Sequence, residues 1–129
     1  MEKKEIEWHS WMEKDQTNPL RLHLTEVENG IFLIISDRGP RIGTIAIGIP
    51  NISIKSQIDA SSVPIVFGVR NELFCRAIAE RVAHICQKIV IANVFLPDES
   101  PELAQRSLKF AEEAIREYFS ARGKTSTEK

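Results

Sequence analysis

Few residues in this 129-residue chain have the type and spacing to do chemistry. The two cysteines, Cys75 and Cys86, stand eleven residues apart on a segment with helical periodicity. That is about 16 Å of helix rise, well beyond the roughly 7 Å Cα separation that a disulfide allows. They cannot bridge, and they cannot jointly hold one metal. Both fall on an apolar stripe, so buried, inert thiols are expected. His9, His23 and His84 are scattered, with no H-x-x-x-H or C-x-x-C spacing to suggest zinc. The stretch Asp37-Arg38-Gly39-Pro40-Arg41 sets two cations beside a glycine. A phosphate is conceivable there, but the stretch matches neither the Walker nor the dinucleotide pattern, and a solvated turn is the better reading. Asp98-Glu99 suits a helix N-terminus and Glu112-Glu113 a solvated helix face. Trp8 and Trp11 have the chemistry of a base-stacking platform. Glu2, Glu5, Glu7, Glu13 and Asp15 surround them, however, so core or interface packing is expected instead. The expectation is a non-enzymatic protein with no catalytic, cofactor or metal residues.

The elements that carry these residues are legible from pattern. Leu20–Val27 alternates cleanly, with Leu20, Leu22 and Leu24 on one side, and reads as a half-buried strand. Asn29-Gly30 is a strong hairpin signal leading into Ile31. Two β-branched runs, Ile31–Ile35 and Ile42–Ile49, flank the turn at Asp37–Pro40 and read as a central hairpin. Lys4–Trp11 reads as a strand, with a short helix as the rival. Pro50–Ser62 reads as a long, irregular loop that is mobile until a partner orders it, and Val63–Val69 as a strand. Asn71 is placed to cap a helix from Glu72 to about Gln87, whose stripe is Phe74, Cys75, Ile78, Val82, Ile85 and Cys86. Lys88–Leu96 is a further strand. Ser100-Pro101-Glu102 opens a helix expected to run to about Ala121, with Gly123 ending it. The class is α+β: six strands in a mainly antiparallel sheet and two helices. One domain over 1–122 and a disordered tail over 123–129 are expected.

Hydrophobic residues make up 43% and charged residues 27%, as in a soluble globular domain. Net charge is -1, so no global field attracts nucleic acid or an anionic membrane. No apolar run approaches the roughly 20 residues of a membrane span, and the charged N-terminus does not read as a signal peptide. A cytoplasmic protein is expected. From Arg70 to Lys88 four Lys/Arg face two acids, and from Asp98 to Glu117 six acids face three Lys/Arg. Helices of opposite sign could orient a partner or attract each other.

Three strands, Ile31–Ile35, Ile42–Ile49 and Lys88–Leu96, are apolar on both faces. Six strands at about 4.8 Å make a sheet roughly 29 Å wide, and two helices about 10 Å across cover one face of it. The second face is expected to pack on another chain, through Leu33, Ile45, Ile47 and Ile91. Arg38, Arg41, Arg76 and Glu80 are expected to meet a further partner.

The ordered strings WHSWMEKDQTNPLRLHLTEVENGIFLIIS, IGTIAIGIP, SVPIVFG, LFCRAIAERVAHICQKI, VIANVFL and LAQRSLKFAEEAIREYF span Trp8 to Phe119. In this order and apolar pattern the chain resembles the small proteasome assembly chaperones, the third and fourth of the eukaryotic set, and the fourth more closely. The resemblance implies a six-stranded antiparallel sheet with helices, and pairing with itself or with a paralogous chain. It also implies binding to proteasome α-subunits during ring assembly. It carries over no catalytic or client-contact residues. The rival expectation is a dimeric scaffold of the roadblock or longin type, docking on small GTPases or trafficking machinery.

Overall fold

The computed structural model describes residues 5–50, 65–68 and 70–127. Its elements are β1 (Trp8–Met12), β2 (Arg21–Val27), β3 (Gly30–Ser36), β4 (Thr44–Gly48), β5 (Ile65–Phe67), α1 (Glu72–Cys86), β6 (Ile89–Phe95) and α2 (Pro101–Thr127). The class is α+β. The strands form one mixed sheet in the order β1-β2-β3-β6-β4-β5, with β3 and β6 parallel and all other neighbours antiparallel.

This corrects the expected central hairpin. The runs around Asp37–Pro40 do not pair with each other, because β6 enters between β3 and β4. A strand apolar on both sides along its edges gains more from a central place than from a hairpin partner, and β6 is such a strand. The connection from β3 to β4 must therefore cross the end of β6. Asn93 of β6 holds it there: its Nδ2 donates to the Arg41 carbonyl at 2.8 Å, and its Oδ1 accepts the Gly43 amide at 2.8 Å.

The β2–β3 hairpin forms, but one residue earlier than expected. Val27 pairs with Gly30, so Glu28 and Asn29 make the turn and Gly30 is already strand. Gly30 is needed for space: a Cβ there would stand 2.6 Å from the Ile89 carbonyl oxygen.

One face of the sheet presents Leu22, Leu24, Leu33, Ile35, Val90, Ala92, Val94 and Ala46, all buried. Against it pack Phe74, Cys75, Ile78, Ala79 and Val82 of α1, and Leu103, Phe110, Ala111, Ala114 and Ile115 of α2. Of the stripe expected on α1 from the 3.6-residue period, Phe74, Cys75, Ile78 and Val82 are buried, while Ile85 and Cys86 are only half-buried and Ala79 and Ala83 take the close contact. α1 lies close over β4, since a Cβ on Gly48 would meet the Ala79 carbonyl at 2.2 Å. The Cys75 thiol, fully buried here, donates to the Thr44 and Ala92 carbonyls at 3.1 and 3.4 Å. Burial pushes its pKa up to about 12. Cys86 is half-buried, and burial raises its pKa also. Cys75 is therefore expected to resist a thiol reagent in the native protein and to react only on unfolding, while Cys86 reacts slowly. Labelling followed by mass spectrometry checks this.

Two junctions depart from the expected chemistry. Asn71 does not cap α1 with its side chain. It sits in the left-handed region at φ 59, and its amide Nδ2 donates to the Asp98 carbonyl at 3.0 Å while its Oδ1 accepts the Leu96 amide at 3.0 Å. Its backbone N–H donates to Glu99 Oε2 at 3.3 Å. Gly123 does not end α2, which continues to Thr127. A helix-interior glycine costs about 1 kcal/mol but removes no hydrogen bond. The expected loop 50–62 lies, beyond Pro50, outside the described residues.

α2 is tied to the end of β1 by an ion pair. Arg106 donates to both Glu13 oxygens, at 2.9 and 2.7 Å, and Glu13 Oε1 accepts the Leu20 amide at 3.0 Å. Burial works to raise the Glu13 pKa, but the Arg106 hydrogen bond, the Leu20 amide and the Arg106 charge hold it below 4.5. A depressed carboxylate pKa gives stability that is present above the unfolded value and lost as pH falls through the folded one. Glu13→Gln is expected to cost about 1–2 kcal/mol at pH 7. The gap from the native protein should narrow below pH 4.5 in urea titrations.

Candidate functional site

Among the described residues no helix covers the other face of the sheet, hereafter the open face. Register across the strands places Trp8, Thr25, Phe32, Ile91 and Ile47 in one row. A second row runs Ser10, His23, Ile34, Asn93, Ile45 and Phe67. Neither helix covers these side chains, because both lie on the face of opposite parity. Trp8 is 50% exposed, Phe32 38% and Phe67 55%, while Ile34, Ile45, Ile47 and Ile91 are half-buried. The Trp8 and Phe32 rings meet at 6.2 Å, tilted by 57°. Val27 and Ile89 continue the apolar surface towards one end.

Most polar members of this face are bonded within the chain; the exception among its buried atoms is His23 Nε2, which has no partner among the described residues. Asn93 holds the β3–β4 connection as described. Thr25 is buried because its Oγ1 donates to the Glu7 carbonyl at 2.8 Å, which draws the segment before β1 against the face. Ser10 Oγ and His23 Nδ1 are 2.8 Å apart. At the other end, Arg41 lies over the Phe95 ring at 4.8 Å from its centroid, a cation–π contact. Arg70 reaches the same ring at 6.0 Å while donating to the Leu96 and Pro97 carbonyls.

Of the four residues expected at an interface, Ile45, Ile47 and Ile91 stand on the open face. Leu33 does not: it is 0% exposed and points into the helix-covered core, so it is withdrawn from that set. Alternation explains this, since the residues of β3 on the open side are Phe32 and Ile34. Phe32 and Trp8 were missing from the expected set, and a signal for them existed. β4 carries small residues on one side, Thr44, Ala46 and Gly48, and isoleucines on the other. A helix packs closely only on the small side, so the isoleucine side, with its cross-strand neighbours, had to be the open one.

The four residues expected to meet a partner are not brought together. Arg76 and Glu80 are exposed on α1, away from the sheet, with Arg76 3.9 Å from Glu72. Arg38 pairs with Asp37 at 3.3 Å, and Arg41 is on Phe95. The turn 37–41 is closed by Ser36, whose Oγ donates to the Gly39 carbonyl and accepts the Arg38 amide, both at 3.1 Å. The two tryptophans also part: Trp8 is on the open face, and Trp11 meets Tyr118 of α2 on the other. Among the described residues no group of His, Cys, Asp and Glu could hold a metal, and no helix is long and apolar enough to cross a membrane. No protein-family model and no curated protein matches this chain.

Proposed function

We propose that this protein is a non-enzymatic binding module that acts through its open sheet face, as an assembly chaperone for proteasome α-subunits. In this proposal a second chain, its own copy or a paralogue, packs sheet on sheet against Ile45, Ile47, Phe32 and Ile91. The resulting pair holds α-subunits while their ring forms. The observation that carries the proposal is the uncovered row Trp8–Thr25–Phe32–Ile91–Ile47. It is an apolar surface crossing five strands, with Trp8 50% and Phe32 38% exposed, and contiguous apolar surfaces of this kind mark interaction sites. Two sheets packed about 10 Å apart cover each other fully. The choice of client rests on the resemblance of Trp8–Phe119 to the small proteasome assembly chaperones.

The test is co-expression with proteasome α-subunits. A complex that survives gel filtration and contains α-subunits is the expected result. Retention of small GTPases with no α-subunit bound contradicts it, and points to the roadblock or longin type of scaffold instead.

A further inference from the structure

One end of the open face is basic, and no acid on its strands opposes it. Alternation along β2 puts Arg21 on the side of His23 and Thr25, and alternation along β6 puts Phe95 on the side of Ile91 and Asn93. The register sets Arg21 beside Ser36, and Ser36 beside Phe95. Arg41 and Arg70 come to the same place from outside the strands, over the Phe95 ring. All three arginines are exposed, and none is ion-paired among the described residues. Arg70 is held by the Leu96 and Pro97 carbonyls. The Asp98 pKa is lowered first by the Ser100 amide and in part by the Arg70 charge, so Arg70 is partly balanced. Arg21 and Arg41 are the excess. Among the described residues the strands contain one acid, Glu26, and it points to the helix side, where it accepts from Tyr118 Oη at 2.9 Å.

We infer that the open face receives an acidic protein segment, whose carboxylates meet Arg21 and Arg41 at the Phe95 end while its apolar residues lie over the isoleucine rows. This rests on the open face being the docking surface and adds the chemistry of what docks there. A guanidinium fork matches a carboxylate with two parallel hydrogen bonds. Arg41 is already laid on a ring, so it gives up less rotamer freedom on binding than a free arginine. The arginine end is four residues along β2 and β6 from the row Trp8–Thr25–Phe32–Ile91–Ile47, which is about 13 Å. An extended segment bridges that distance with its acids about four residues from its apolar anchor. A nucleic acid fits less well. Its phosphates would lose water over Ile34, Ile45, Ile47 and Ile91, and the rings that stacking bases need are engaged, Trp8 and Phe32 by each other and Phe95 by the arginines.

The experiment selects binders from a library of random peptides on the wild-type protein, then measures one selected peptide against R21Q/R41Q and Ile47→Asp. Both arginines are exposed, so folding is expected to survive, and circular dichroism checks it for each variant. The selected peptides are expected to be enriched in Asp and Glu near apolar residues. Binding to R21Q/R41Q is expected to be about tenfold or more weaker. Replacing the peptide's acids by amides should weaken binding to wild type by a similar factor and change little with R21Q/R41Q, the mark of a direct pair. Binding should also weaken as salt is raised. A library that yields no binder, binders without acidic enrichment, or equal binding to R21Q/R41Q each overturn the inference. Tighter binding of oligothymidylate than of the selected peptide overturns the protein segment in favour of phosphate. If Ile47→Asp loses the peptide while R21Q/R41Q keeps it, the acidic partner falls and the face stands. If R21Q/R41Q loses it while Ile47→Asp keeps it, the carboxylate contact holds and the open face falls as the docking surface.

Discussion

Ala46→Asp is expected to leave no folded protein at 25 °C. Ala46 is 0% exposed, in the middle of β4, paired with Ala92 and facing α1. Gly48, two residues on, already touches the Ala79 backbone so closely that a methyl group does not fit. There is no volume for a carboxylate there and no described cation to pair with it. An unpaired buried charge costs several kcal/mol even after relaxation, and overpacking adds about 1–3 kcal/mol. Together these reach the whole stability of a typical domain, about 5–15 kcal/mol. Loss of the far-ultraviolet helix signal and of a cooperative melt would show it. A folded, cooperative Ala46→Asp would mean that α1 does not cover this face.

Asn71→Ala is expected to cost about 3–5 kcal/mol, a large effect for a polar residue. Two hydrogen bonds go, one buried and one part-buried, and the Leu96 amide is left without its acceptor, at about 1–3 kcal/mol. The Asp98 carbonyl loses its donor. The left-handed backbone at φ 59, which asparagine tolerates, costs alanine about 1 kcal/mol more. Two companions separate these causes. Asn71→Gly keeps the backbone comfortable and loses the bonds, while Asn71→Asp keeps the acceptor for Leu96. Denaturant midpoints should rank Asp above Gly and Gly above Ala. An Asn71→Ala midpoint equal to wild type would show that this junction does not hold α1 to the β6–α2 connection.

Local pattern carried much of the architecture. The alternation of Leu20, Leu22 and Leu24 and the stripe of α1 are properties of a few neighbouring residues, so the chain itself displays them. What pattern did not carry was long-range. Whether Ile31–Ile35 pairs with Ile42–Ile49 depends on a strand more than forty residues away competing for both, and no local signal encodes that competition. Gly30 is ambiguous for the same reason: the Asn-Gly pair looks like a turn, yet the glycine serves the approach of the β6 backbone. Asn71 carries the composition of a helix cap, while its partners, Leu96 and Asp98, are distant in sequence. The open face was half legible. Double-sided apolar strands announced that it existed, and the small side chains of β4 held the clue to which side it was. Leu33 lies on the other side, paired with Leu24 and facing the helices.

The measurement that bears most directly on the open face as the docking surface is the assembly state of Ile47→Asp beside wild type. Tagged chains would be isolated from native cell extract, and the mass and composition of each complex determined by light scattering and mass spectrometry. Ile47 is half-buried on the side of β4 opposite to that which α1 covers, so a carboxylate there is expected to reach water and the fold to be kept. The account predicts wild type in a complex with a second chain and α-subunits, and Ile47→Asp as a folded 14.6 kDa monomer without them. A folded Ile47→Asp chain that retains the wild-type complex would contradict it.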